Sequence, residues 1–71
     1  MKISLEFIDC ESGNTVLKTD KLKAIPRINE GILINGIDYN VEEVRHILDN
    51  VIKMGCEYLE HRVALDVSRL D

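Results

Sequence analysis

The sequence predicts a mostly β domain, and three observations support this prediction. Asn35-Gly36 stands between two apolar runs, and both residues tolerate the positive φ angles of a two-residue hairpin turn. Apolar and polar residues alternate over residues 2–9 and again over residues 59–67, as they do in half-buried strands. We therefore expect the other strands to pair with a central hairpin at Asn35-Gly36.

The length of 71 residues predicts a single small domain, residues 1–71. A chain of this size buries only about 60% of its unfolded surface, so self-association would be an easy way to bury more, and we expect a homo-oligomer. The hydrophobic fraction of 45% is too high for disorder. No apolar run approaches the roughly 18 residues of a membrane span, and no signal-peptide core is present, which predicts a cytoplasmic protein without membrane contact.

The net charge of −4 is unevenly distributed along the chain. Residues 31–71 carry four basic and eight acidic side chains, which account for the whole imbalance. Affinity for a phosphate backbone comes mainly from Lys and Arg, so duplex nucleic acid is not an expected partner. An acidic domain suits a basic protein surface, although solubility alone also explains the charge.

The elements follow in order from local patterns. Residues 2–9 form the first strand, and Ser12-Gly13-Asn14 supplies a turn. Residues 15–25 resume extended structure with lysines on a solvated side, until Pro26 removes a backbone donor and ends the strand. Residues 59–67 form the last strand, whose polar face is mostly charged.

Residues 41–54 support two interpretations. Asn40 with Glu43 makes a capping box, and apolar residues then recur at helical spacing as far as Gly55, which could terminate a helix. The same segment also reads as a strand that continues from Tyr39, with a bulge near Glu42-Glu43. Local rules leave a strand and a helix over 41–54 nearly equal.

A resemblance favours the strand. One pattern in the sequence comprises Pro26-Arg27-Ile28-Asn29-Glu30, Ile34-Asn35-Gly36, Tyr39, Val41, Val44, His46 and Leu48-Asp49. This pattern resembles a group of small uncharacterised β-barrel proteins of bacteriophages and mobile elements, in which the central hairpin opens with Pro-Arg and an acidic residue. The resemblance implies a five-stranded, partly open barrel of the Sm-like or Src-homology type. The apolar residues in the same region predict either one short helical turn near residues 49–57 or a contact with another subunit. It transfers no functional residues.

Catalytic and metal sites are not expected. His46 and His61 could meet across neighbouring strands with Cys10 or Cys56, but zinc ligands normally come in pairs at short spacing. Glu57 and Glu60 make the surroundings of Cys56 acidic, whereas a reactive thiolate needs an electropositive setting. The surface carboxylates have the spacing of ordinary solvated acids, and no phosphate-binding loop or nucleophile elbow is present. We expect no enzyme, no metal and no cofactor.

Two sets of residues are candidates for binding. Arginine and histidine donors beside an aromatic ring suit an anionic nucleotide or a carboxylate, although ion pairing across the sheet explains the arginines as well. The ligand-binding candidates are Arg27, Arg45, His46, Tyr58 and Arg62. The second set is an apolar stretch that a small barrel does not need, and such stretches often mark interfaces. The interface candidates are Val51, Ile52, Met54 and Leu59.

These observations predict a non-enzymatic binding protein encoded by a phage or mobile element. In the first hypothesis it blocks a host protein, such as a defence protein, through its acidic surface. In the second hypothesis an oligomer sequesters a small anionic nucleotide signal in a pocket built from two chains. A structural role in a virion is a third hypothesis.

Overall fold

The computed structural model describes residues 3–70, which form five β-strands and no helix. The strands are β1 (Ser4–Asp9), β2 (Thr15–Thr19), β3 (Gly31–Ile34), β4 (Ile37–Lys53) and β5 (Cys56–Arg69). The predicted five-stranded barrel is confirmed. The alternative helix over residues 41–54 and the helical turn near residues 49–57 are both wrong, because strands and one tight turn cover those segments. The described residues include no helix long and apolar enough to cross a lipid bilayer.

The five strands form one sheet in the order β2-β1-β5-β4-β3. β1 runs parallel to β5, and every other neighbouring pair is antiparallel. The sheet curls into a nearly closed barrel, and its edge strands β2 and β3 leave one open seam.

Two tight turns connect β3 to β4 and β4 to β5. Asn35 and Gly36 have φ angles of 51° and 84°, as the sequence predicts for a primed two-residue turn. Met54 and Gly55 have φ angles of 53° and 78° and make a second turn with the same signs of φ. The sequence does not predict this second turn, because methionine rarely adopts the left-handed conformation.

The second strand is shorter than predicted. Extended structure was expected over residues 15–25, but β2 ends at Thr19. The backbone N–H of Lys21 donates to Thr19 Oγ1 at 3.1 Å, so the threonine side chain turns the chain out of the sheet. Residues 20–30 then form an irregular connection to β3.

β4 is extended because it pairs with β5 along nearly its whole length. The pairs run from Tyr39 with Arg69 to Lys53 with Cys56. The register shifts once, between Val41 and Glu43, which confirms the predicted bulge near Glu42-Glu43. Backbone hydrogen bonds to β5 stabilise the strand along this whole length. A helix over the same residues would lose these hydrogen bonds, so the strand forms despite the helical spacing of the apolar residues.

The core lies inside the barrel and draws on four strands. Its buried residues are Leu5, Phe7, Ile34, Tyr39, Val41, Val63, Leu65 and Val67. Leu5 and Phe7 alternate with exposed or half-buried residues in β1, and Ile3 packs against the cluster. The predicted alternation of the first and last strands is therefore confirmed.

The hairpin of β4 and β5 extends beyond this core. β5 pairs with β1 only from Arg62 onward, and β3 pairs only with residues 37–40 of β4. Among the described residues, no other strand lies beside residues 46–61, and we call this segment the arm. The molecule measures 49 × 24 × 19 Å, and its Cα radius of gyration is 13.7 Å. A compact domain of the same length would have a radius of about 11 Å.

Candidate binding surface on the arm

The pairing register assigns each arm residue to one of two faces, because directly opposed residues of antiparallel strands point to the same side. His46 opposes the buried Val63, and Leu48 opposes His61 two residues further on. This side continues the barrel interior, and we call it the inner face. It carries His46, Leu48, Asn50, Ile52, Glu57, Leu59 and His61. The outer face carries Ile47, Asp49, Val51, Lys53, Cys56, Tyr58 and Glu60.

The inner face exposes large apolar side chains. Leu48, Ile52 and Leu59 are 58%, 76% and 50% exposed. Met54 lies fully exposed in the turn at the arm tip. Leu48, Leu59 and Ile52 are diagonal neighbours across the two strands, so a row of apolar side chains projects into solvent beyond the barrel. Polar side chains flank this row, and among them Glu57 is the single carboxylate. Patches of this kind usually mark interaction sites.

The outer face carries more charged side chains than the inner face. Val51 opposes Tyr58, and the two border a shallow cleft of about 220 Å³ together with Lys53, Leu59 and Glu60. Arg62 Nη2 lies 3.0 Å from Asp49 Oδ2, and this pair joins the outer face to the barrel wall. Each side chain of that pair is about half exposed, so it contributes little to stability.

Two histidines meet at the base of the inner face. His46 Nδ1 lies 2.9 Å from His61 Nε2, and the ring centroids are 5.2 Å apart. One ring must donate and the other must accept, so at least one of them is neutral when the bond is made. The two histidines, which the sequence allowed to meet across neighbouring strands, are in contact. Within residues 3–70, no group of three or more His, Cys, Asp or Glu side chains could hold a metal ion.

The five ligand-binding candidates do not form one pocket within a single chain. Arg45 and Arg62 lie on the outer side with Tyr58, whereas His46 points to the inner side because successive strand residues alternate. Arg45 Nη2 contacts Asp66 Oδ1 at 3.3 Å, so both arginines already have carboxylate partners. A pocket that these residues build from two chains stays a prediction.

The remaining candidate, Arg27, lies in the connection between β2 and β3. There its backbone N–H donates to Glu30 Oε1 at 3.0 Å. The backbone N–H of Glu30 donates back to the carbonyl oxygen of Arg27 at 3.1 Å, so the two residues close a local turn. Arg27 thus belongs to the entry of the central hairpin and not to the arm.

The four interface candidates all lie on the arm, but not on one face. Ile52 and Leu59 belong to the inner face, Val51 belongs to the outer face, and Met54 lies in the turn. Sequence reasoning missed Leu48, which is central to the inner face. Residues on one face of a strand recur at every second position, so counting back from Ile52 leads to Leu48. A helix over the same segment accounts for an apolar Leu48 equally well, so the sequence alone does not place it on this face.

A second apolar surface lies at the open seam of the barrel. It is a groove of about 290 Å³ whose walls come from β2, β3 and the connection between them. The lining residues are Phe7, Leu17, Leu22, Ala24, Pro26, Ile32, Leu33 and Ile34. Half of these residues belong to the core or pack against it, so the groove is part of the barrel wall.

Comparisons with known proteins give no relative: the chain matches no protein-family model, no curated protein and no solved structure. The resemblance to small phage barrels stays a prediction. The candidate surface is therefore defined by the chain's own geometry.

Proposed function

We propose that this chain is a non-enzymatic binding protein that holds another protein on the inner face of its arm. One observation carries the proposal: Leu48, Ile52 and Leu59 are at least half exposed on one face of a hairpin that projects beyond the core. Covering the exposed half to three quarters of each side chain contributes about 1–2 kcal/mol, so covering the three would supply substantial affinity.

The shape of the arm favours a protein over a small molecule. Small-ligand sites are concave and enclose most of the ligand. A two-stranded arm has no wall around its inner face, and the cleft on its outer face is shallow. A flat apolar surface with polar surroundings matches the centre and rim of a protein interface.

The charges near the arm suggest the chemistry of the partner. Glu57 lies on the inner face near the tip, and Glu60 lies on the outer face. With the net charge of −4, they favour a partner whose contact surface is apolar at the centre and basic at the rim. By the resemblance to phage proteins, we propose a host protein, such as a defence protein, that is blocked by being covered.

Sequestration of a nucleotide is less well supported, because Arg45 and Arg62 are already paired with Asp66 and Asp49. A thermal-shift panel of nucleotides tests it directly. A ligand at 100 times its dissociation constant adds about 2.7 kcal/mol of stability, which raises the melting temperature measurably. We expect no shift with any nucleotide, and a clear shift would restore the nucleotide hypothesis.

The binding test compares the two faces of the arm. Proteins from a lysate of the cell that carries the gene are captured on the immobilised chain, identified and purified, and their affinity is then measured by titration. Leu48→Thr with Leu59→Thr changes the inner face, and Val51→Thr with Tyr58→Thr is the matched outer-face control. Threonine favours strands, so the arm should be retained in both variants.

We expect the inner-face variant to bind the purified partner at least tenfold more weakly, since two large apolar contacts are lost. The outer-face variant should stay within about threefold of the original affinity, because its side chains lie outside the contact. Equal loss in both variants, or loss in the outer-face variant alone, would contradict the proposed surface.

A further inference from the structure

β4 has a long free edge. One edge pairs with β5 throughout, and the other pairs with β3 only at residues 37–40. The backbone of Val41 is also occupied, since its N–H donates to the Glu30 carbonyl at 3.0 Å and its carbonyl accepts from the Asn29 N–H at 2.7 Å. From Glu43 to Lys53, no strand of the described chain pairs with this edge. Free edges of this kind are templates for another strand.

We propose that this edge pairs with the same edge of a second copy, antiparallel and centred on Leu48. The two-fold axis then places Leu48 opposite Leu48 of the second copy. Val44 lies opposite Ile52, and Glu43 lies opposite Lys53, each pair occurring twice. The pairing therefore joins apolar residues on the inner face and opposite charges at both ends of the outer face.

The length of the free edge agrees with this register. The second copy's β4 ends at Lys53, directly opposite Glu43, which is where the free edge begins. The side chains of Glu43 and Lys53 form no ion pair or hydrogen bond with another described residue, so both charges can meet a second copy. Both side chains are exposed.

Neighbouring symmetric registers are less favourable. Centring the pair on Asp49 would place Asp49 against itself and Arg45 against Lys53, and like charges in direct opposition are destabilising. Centring it on Ile47 would drive Lys53 against Val41, whose backbone groups are already bonded within the chain. The same shift would oppose Val44 to Asn50 and lose an apolar pair.

The dimer would join two arms into a four-stranded sheet with two inner faces on the same side, because an axis perpendicular to the sheet preserves its faces. It uses the backbone edge of β4 and leaves Leu59 and Ile52 open to a partner. Leu48 contributes to both surfaces, but the two proposals fail separately: the charge swap at Glu43 and Lys53 tests dimerisation without changing Leu48, Ile52 or Leu59, and the inner face can bind a protein as a monomer.

A charge-swap experiment tests the register. Sedimentation equilibrium of the whole chain should give about twice the monomer mass of 8.1 kDa at high concentration. Glu43→Lys and Lys53→Glu should each weaken the dimer about tenfold or more, because each change creates two like-charge contacts. Mixing the two variants in equal amounts should restore the dimer, since the heterodimer regains opposite charges at both ends. Both changes are at exposed positions, and far-UV circular dichroism checks that the fold is kept.

A chain that stays monomeric at millimolar concentration would overturn the proposal. A dimer that neither substitution weakens, or that the mixture does not restore, would overturn the register. Amide hydrogen exchange provides a second measurement on the unmodified chain. Protection over residues 43–53 should rise with concentration, and protection that does not depend on concentration would also contradict the pairing.

Discussion

The division of β5 into a core half and an arm half can be tested with one pair of substitutions. Leu65 and Leu59 lie on the same strand, and the register places both on the side that continues the barrel interior. Leu65 is 0% exposed, whereas Leu59 is 50% exposed. Leu65→Ala and Leu59→Ala thus make the same chemical change in two different surroundings.

The expected costs differ because only one change leaves a cavity. Leu65→Ala should cost about 2–5 kcal/mol, the range for a fully buried leucine. A 71-residue domain has a total stability of about 4–10 kcal/mol, so this loss is a large part of it. Leu59→Ala should cost about 1 kcal/mol or less, since half of the side chain is already in water.

Urea denaturation followed by far-UV circular dichroism measures both costs. With a slope of about 1 kcal/mol per molar urea, Leu65→Ala should lower the midpoint by about 2 M or more. Leu59→Ala should lower it by about 1 M or less. Equal shifts would refute the description of the arm, because they would mean that Leu59 is packed as tightly as the barrel core.

Two further predictions concern the turns and the thiols. Gly36→Ala should cost about 1–2 kcal/mol in chemical denaturation, because the residue has a φ of 84°, whereas Gly31→Ala should cost less than about 0.5 kcal/mol since no positive φ and no close neighbour constrain it. If both changes cost the same, the positive φ of Gly36 is not what makes its substitution destabilising. Cys10 and Cys56 are both exposed and should both react with a thiol reagent in the folded protein. They lie near opposite ends of β5, about 35 Å apart. Oxidation of dilute protein should therefore give no intrachain disulfide. Formation of an intrachain disulfide would contradict the pairing of β1 with β5.

The sequence contains enough information for the barrel because its local signals agree with the long-range pairing. Asn35-Gly36 fixes one hairpin, and period-two alternation fixes the buried sides of β1 and the second half of β5. Residues 41–54 could not be decided locally, since their apolar residues satisfy both a helical and a strand interpretation. The decisive contribution comes from β5, which supplies a partner to this segment.

The candidate surface could be predicted only in part. The apolar character of Ile52, Met54 and Leu59 was visible in the sequence, and all three are exposed on the arm. Their arrangement depends on the turn at Met54-Gly55, where methionine takes a conformation that local rules disfavour. Without this turn, the register between β4 and β5 cannot be known, and neither can the face on which each residue lies.

The arginines show the same limitation. Arg45 and His46 are adjacent in sequence, and a list of donors treats them as a group. In an extended strand, adjacent residues point to opposite faces of the sheet, so the side chains of Arg45 and His46 lie on different faces. The carboxylates that contact Arg45 and Arg62 are 21 and 13 residues away in sequence, and only the fold brings them together.

Residues 46–61 project beyond the barrel as a paired arm whose inner face is open to solvent. Small-angle X-ray scattering of the Lys53→Glu chain at low concentration measures this directly, since that chain should be monomeric. A projecting arm should give a radius of gyration at or slightly above the Cα value of 13.7 Å, with an elongated distance distribution. A radius near 11 Å, the value for a compact domain of this length, would mean that the arm folds back onto the barrel and would contradict the account.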